Sequence, residues 1–190
     1  MDRQRGYMKN ALADSLRYLM TGKLFEKITI KMICDETGVI RATFYNHFED
    51  KYDCLNYIIQ NDLTGQGTGE MNEKNLPVSL MACLNVIEKN REFYRRAYTT
   101  VTGQNSFEEM LELNLRLFVS AYFKSHRREE FMPQYNNDLI SMYYASCVFC
   151  AVKMLIFDQN GIHTAKDAGI MLRDLTTHTF LDFSKEPEEW

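Results

Sequence analysis

The chain reads as an all-α protein of two helical blocks, and three observations carry that reading. Apolar residues return every three or four positions through most of its 190 residues, the spacing that lines one side of a helix. Nine glycines and three prolines are too few for a loop-rich β fold, and strand-like alternation is scarce. Side chains able to cap a helix recur at the gaps between the periodic stretches. The length supports a sizeable core without disulfides or metal, and 45% hydrophobic with 25% charged residues is ordinary globular composition.

The first block runs from residue 1 to 63. Leu12, Leu16 and Leu19 share a helical stripe, and Gly22 follows where that helix stops. Phe25 and Ile28 supply apolar contacts in a short connection. Thr29 is a good N-cap for a helix through Glu36, with Ile30 and Ile33 inward. Gly38 sits where a left-handed residue ends that helix. A second short helix is expected from Ile40 to about Asn46. Asp50, with Asp53 three residues on, starts a fourth helix carrying Leu55, Ile58 and Ile59.

The polar, glycine-bearing stretch 64–75 reads as a linker. The second block, 76–190, is a succession of helices. Leu76 to Glu88 carries Leu80, Leu84 and Ile87, and Asn90 caps a segment through Tyr98. Ser106 with Glu109 forms a capping box for a long helix with Leu113, Leu117 and Phe118 inside. After Pro133, Asp138 opens another to about Asp158. Gly161 and Thr164 with Asp167 separate it from the last, about Ala165 to Phe183.

Two short helices across Gly38 make a helix-turn-helix, whose second helix suits a DNA major groove. On a helical wheel Ile40 and Phe44 fall on one stripe with Phe48 close by, an anchoring side. Arg41, Ala42, Tyr45 and Asn46 lie opposite. Arg41 suits a guanine edge or a phosphate, and Ala42 a thymine methyl. Thr43, Tyr45 and His47 carry donors suited to phosphate oxygens; for His47 a local cap or core hydrogen bond is the equal alternative. Lys51 adds charge at the mouth of the fourth helix, where backbone amides also favour an anion. The helix start at Thr29, with Lys31, offers the same on the other side of the groove. Residues 1–51 hold nine basic and seven acidic residues while the whole chain is −4. That balance argues against a general polyanion binder and leaves room for a local DNA-facing surface.

The longer string is more selective. Phe25-Glu-Lys-Ile-Thr-Ile, Ile33, Gly38-Val39 and Thr43-Phe-Tyr-Asn-His-Phe-Glu-Asp-Lys-Tyr-Asp-Cys-Leu55 resembles the DNA-binding domain of TetR/AcrR transcription regulators over about the first 60 residues. The resemblance implies an all-helical homodimer, with three N-terminal helices for DNA and a larger C-terminal domain for dimerisation and ligand sensing. It places Thr29, Arg41, Thr43, Tyr45, His47 and Lys51 where family members touch DNA. Family members usually have a small polar residue before the recognition helix; Ile40 here cannot cap by side chain. In the second half, Asn90-Arg-Glu-Phe-Tyr94, Gly103, Phe107, Ala151 to Phe157 and Thr164 to Ala168 are similar to the branch containing activators of dihydroxyacetone kinase operons, although that branch often carries Trp near Phe157 and this chain does not.

Other chemistries find less footing. Cys147 and Cys150 have metal-like spacing but no second pair, and His163 and His178 are wrongly placed for a zinc finger; Cys34, Cys54, Cys83, Cys147 and Cys150 read as buried small hydrophobes. No catalytic triad or phosphate loop is legible, so neither an enzyme nor a cofactor is expected. Arg91, Arg95 and Arg96 read as a solvated face. Five cysteines without a framework read as reduced thiols in a cytoplasm. The N-terminus leads into no hydrophobic block, and the longest apolar run, Cys147 to Phe157, is broken by Lys153, so no membrane is expected. The expected partners are a double-stranded DNA operator, a second copy through the last two helices (Met142, Ala145, Phe149, Leu172, Leu175, Phe180) and a small-molecule effector. The alternative is a co-regulator that keeps the fold and works by protein–protein contact.

Overall fold

The computed structural model describes residues 2–64, 76–103, 105–126, 135–158 and 160–177. They form α1 (Asp2–Gly22), a short 3-10 turn (Phe25–Lys27), α2 (Ile30–Thr37), α3 (Arg41–Tyr45) and α4 (Lys51–Thr64), then α5 (Leu76–Lys89), α6 (Arg91–Thr100), α7 (Phe107–His126), α8 (Asn137–Phe157) and α9 (Ala165–Thr177). No strand occurs among the described residues. Thr64 closes α4; the remainder of the expected linker, and the end of the last helix with Phe180 and His178, lie outside the described residues.

The local signals fold as their chemistry dictates. The Thr29 hydroxyl accepts the Met32 N–H at 3.3 Å at the head of α2. Gly38 ends α2 in the left-handed region, φ 74° and ψ 34°, which a side chain adopts only at a cost. Asp50 Oδ1 accepts the N–H groups of Tyr52 and Asp53 at 2.7 and 2.8 Å, while Asp53 reaches back to the Glu49 N–H at 3.1 Å. Ser106 and Glu109 exchange the two bonds of a capping box, and Thr164 and Asp167 do so before α9. Two caps differ from expectation. Asn136, rather than Asp138, opens α8 by accepting the Leu139 N–H at 2.8 Å, and the Asn90 amide bonds back to the Val86 carbonyl instead of capping α6.

One contiguous core runs through both blocks. Helix α1 packs on α2 and α4; α4 also packs on α5 and α7; α7 and α8 lie side by side, and α9 covers α5 and α8. In α7 the inward residues are Phe107, Leu111, Leu115 and Val119. The expected inner residues Leu113 and Leu117 are 49% and 56% exposed, and Phe118 is half-buried. The helix carries apolar residues on two sides, and packing against α8 and α4 selects the other one. By length and composition α8 is apolar enough to cross a membrane, yet Val148, Ala151, Val152, Leu155 and Ile156 are buried in this core. Of the apolar residues expected at a dimer contact, Met142 and Leu175 are exposed, Phe149 is half-buried, and Ala145 and Leu172 belong to the chain's own core.

Polar ties join the blocks where the sequence showed only separate charges. Arg17 in α1 donates to both oxygens of Asp62 in α4 at 2.8 and 2.9 Å, and the buried Tyr94 hydroxyl of α6 donates to Asp62 at 2.6 Å. The Arg17 guanidinium also lies over the Phe93 ring, 4.6 Å from its centre. Burial, followed by the Asp62 charge, pushes the Tyr94 phenol well above its ordinary range, against the charge of Arg17. Arg96 donates to the Met20 carbonyl at 2.7 Å, at the end of α1. Arg91 donates to the carbonyls of Asp158 and His163 and so fastens the α8–α9 connection. Of the three arginines expected on a solvated face, Arg95 alone is exposed; it pairs with Glu92.

A cavity of about 660 Å³ lies among α5, α7, α8 and α9. Among the described residues no three His, Cys, Asp or Glu side chains are grouped to hold a metal ion. Cys34, Cys54 and Cys83 are buried as expected, with burial pushing the Cys83 thiol up to about 12. Cys147 is half-buried, and Cys150 is exposed, so the second member of that pair is no core residue.

Candidate nucleic-acid interface

Helix α3 is only five residues long, too short to hold itself together. Phe44 holds it: this ring and that of Phe48 are fully buried and 5.7 Å apart, each worth roughly 1.5–3 kcal/mol of apolar burial. Phe48 also meets Tyr57 at 5.5 Å, and Lys9 lies over both rings. With Phe44 pointing inward, the helical period turns Arg41, Ala42, Tyr45 and Asn46 outward. All four are exposed, Tyr45 by 50%. Thr43 and His47 are half-buried beside them.

Arg41 and Tyr45 are one turn apart and already organised. The guanidinium donates to the Tyr45 hydroxyl oxygen at 3.2 Å and lies 5.9 Å from the ring centre. The Tyr45 ring stands edge-on to buried Phe44 at 5.7 Å. Arg41 therefore stands as a partly ordered cation with further N–H donors unused by that contact. Thr29 and Lys31, at the head of α2, are exposed.

Two residues differ from the helical-wheel reading. Ile40 is expected on the buried stripe with Phe44. It is instead the extended N-cap of α3 (φ −84°, ψ 157°), makes no side-chain cap bond, and is 73% exposed. Since its backbone is not helical, the wheel does not apply to it. Lys51 is expected to present charge outward. Its ammonium instead donates to the carbonyls of Phe25, Ile28 and Glu26 at 2.8, 3.0 and 3.4 Å and sits over the Phe25 ring at 4.5 Å. Those contacts occupy its three N–H groups. Burial pulls its pKa below the ordinary lysine value, against the charges of Glu26 and Asp50. Lys51 braces the connection between α1 and α2 against α4.

The resulting surface is largely polar, with apolar Ile40 and Ala42 among hydrogen-bonding side chains. It can meet base edges through Arg41 and Asn46 and phosphate through hydroxyls.

No family model matches the sequence. The HTH-type dhaKLM operon transcriptional activator DhaS of Lactococcus lactis subsp. lactis (strain IL1403) is 23% identical over 87 residues, covering 46% of this chain and 46% of that protein. The matched stretch is thus about half the length of that relative. The solved structure of the dihydroxyacetone kinase operon activator DhaS superposes with a TM-score of 0.66 at 16% identity, covering 90% of this chain and 94% of that one. A TetR family transcriptional regulator, PfmR from Thermus thermophilus, gives a TM-score of 0.47 at 16% identity over 86% and 92% of the two chains. The DhaS superposition shows a shared all-helical fold.

Proposed function

We propose that this chain is a TetR-like, DNA-binding transcription regulator that binds a palindromic operator as a homodimer under the control of a small-molecule effector. Residues 1–63 form its DNA-binding domain, 64–75 the linker, and 76–190 the regulatory and dimerisation domain. One observation carries the reading. Buried Phe44 holds α3 so that Arg41, Ala42, Tyr45 and Asn46 are exposed, leaving a helix face open to a duplex. The likeness to an operon activator supports the same class.

In this reading α3 enters the major groove, and Arg41 reads a base edge or clamps a phosphate. Thr29, Lys31, Thr43, Tyr45, Asn46 and His47 position the head on the sugar-phosphate backbone. Lys51 acts indirectly, by bracing the connection that leads into α2 against α4. A two-fold dimer sets two heads in successive grooves, and the exposed apolar residues Leu139, Met142 and Tyr143 of α8 with Leu175 of α9 form its contact. The protein works in the cytoplasm, where its thiols stay reduced. No catalytic role is assigned.

Binding-site selection from random DNA with the full chain tests this. Two-fold-related half-sites are expected. Arg41→Ala is expected to weaken the selected site by about tenfold or more, in line with the loss of one charged base contact, and Tyr45→Phe to weaken it less, with the dimer still folded. An unenriched DNA pool overturns the proposal. Ile40 favours the one competing reading: an exposed isoleucine at the head of α3 suits a protein contact, and a co-regulator of this fold leaves the pool unenriched while binding a protein partner through that residue.

A further inference from the structure

The cavity of about 660 Å³ among α5, α7, α8 and α9 falls within the roughly 300–1,000 Å³ of small-molecule sites. Most of its wall is apolar, with Met81 and Leu84 from α5, Val119 and Phe123 from α7, and Val148 from α8. Helix α9 supplies a different wall. Lys166, Gly169, Arg173 and Thr177 follow one another at three- and four-residue steps, with Ile170 beside Gly169, so one face of that helix is turned to the cavity. A Cβ on Gly169 would run into the Met81 sulfur, so α5 and α9 approach closely here, with Lys166 and Arg173 on either side. Among the described residues no carboxylate lines the cavity. Arg173 gives Nε and one terminal nitrogen to neighbouring Asp174, which leaves its other terminal nitrogen with two N–H donors.

We propose that this cavity binds an amphiphilic monoanion, an apolar chain or ring system ending in a carboxylate, with the apolar body between α5, α7 and α8 and the carboxylate on Lys166 and Arg173. The inference rests on the effector-controlled reading above and gives that effector its chemical class. Charge complementarity selects it: an apolar chamber alone accepts any hydrocarbon, whereas Lys166 and the Arg173 nitrogen not turned to Asp174, at one wall, favour an anionic head and disfavour a cationic one. Asn114 of α7 donates to Asn56 of α4 at 2.7 Å, so the helix that supplies Val119 is tied to the helix that carries the DNA-binding head.

The test compares sodium decanoate, 1-decanol and decylamine, three ligands with the same chain, by thermal shift and calorimetry on the full chain below their aggregation concentrations. Decanoate is expected to bind saturably, about tenfold or more tighter than decanol, and decylamine most weakly. In the double variant Lys166→Gln, Arg173→Gln, whose altered side chains are solvent-exposed, decanoate is expected to fall to the affinity of decanol while decanol is unchanged. Absence of binding by all three overturns the inference. So do equal affinities for decanoate and decanol in the wild type, or a carboxylate preference that survives in the double variant. DNA selection separates the two failures: an enriched operator without decanoate binding removes only the ligand class, whereas decanoate binding without an enriched operator removes the regulator and leaves the site.

Discussion

Gly38 shows how much of the candidate interface depends on one backbone angle. Its φ of 74° lets α2 end and α3 begin within three residues, and nothing lies within 4 Å of where a Cβ would sit. A substitution there pays in conformation alone. Gly38→Ala is expected to lower unfolding free energy by about 1–2 kcal/mol, and Gly38→Asn by less, because Asn tolerates the left-handed region. Urea denaturation of the two variants checks the order. Thr29 and Gly38 were legible in the sequence because each acts on its own neighbours, and a cap needs no tertiary information. Ile40 was not: the wheel that placed it beside Phe44 assumed a helical backbone that begins one residue later.

Helix α4 is one of the elements on which the blocks meet, beside the α1–α6 contact, since α1, α5 and α7 all pack on it and Asp62 near its end accepts from both Arg17 and Tyr94. Removing the carboxylate leaves a partly buried guanidinium and a buried phenol without their partner. Asp62→Ala is therefore expected to cost about 3 kcal/mol, and Tyr94→Phe about 1.5 kcal/mol, by chemical denaturation. The turn between α8 and α9 has its own acid sensitivity. Asp158 accepts the N–H groups of His163 and Asn160, and Asp167 accepts from Thr164; these bonds hold both carboxyls below their ordinary value of 3.8. A depressed folded-state pKa gives stability that is fully present above the unfolded value and lost as pH falls through the folded one. Hydrogen exchange is expected to show this turn intact at pH 5 and opening below about pH 3.8, with Asp167→Asn open at both. Element positions were readable because helical periodicity is local, whereas the inner face of α7 was not, because Leu111, Leu113, Leu115 and Leu117 offer two sides and packing on α8 and α4 chooses between them. Arg17 and Asp62 lie 45 residues apart, so nothing in their spacing paired them.

The entire chain is acidic, −4, yet it carries a surface read as DNA-facing, so its hold on a duplex depends on which few cations point outward rather than on total charge. That makes the inward commitment of Lys51 consequential. Counterion release from DNA scales with the number of phosphates a protein neutralises, and an ammonium fixed on three carbonyls neutralises none. Lys51→Met is expected to lower thermal stability while leaving the slope of log affinity against log salt unchanged. Arg41→Ala is expected to make that slope shallower by about one per phosphate lost. Salt titration of both variants on one selected site distinguishes the brace from the contact, and a shallower slope for Lys51→Met would return that lysine to the DNA. With Lys51 turned inward, the pull of unrelated sequence on this head falls to side chains such as Lys23, Lys27, Lys31 and Arg41, which stand exposed, and each of them that meets a phosphate makes residence on bulk DNA more sensitive to ionic strength.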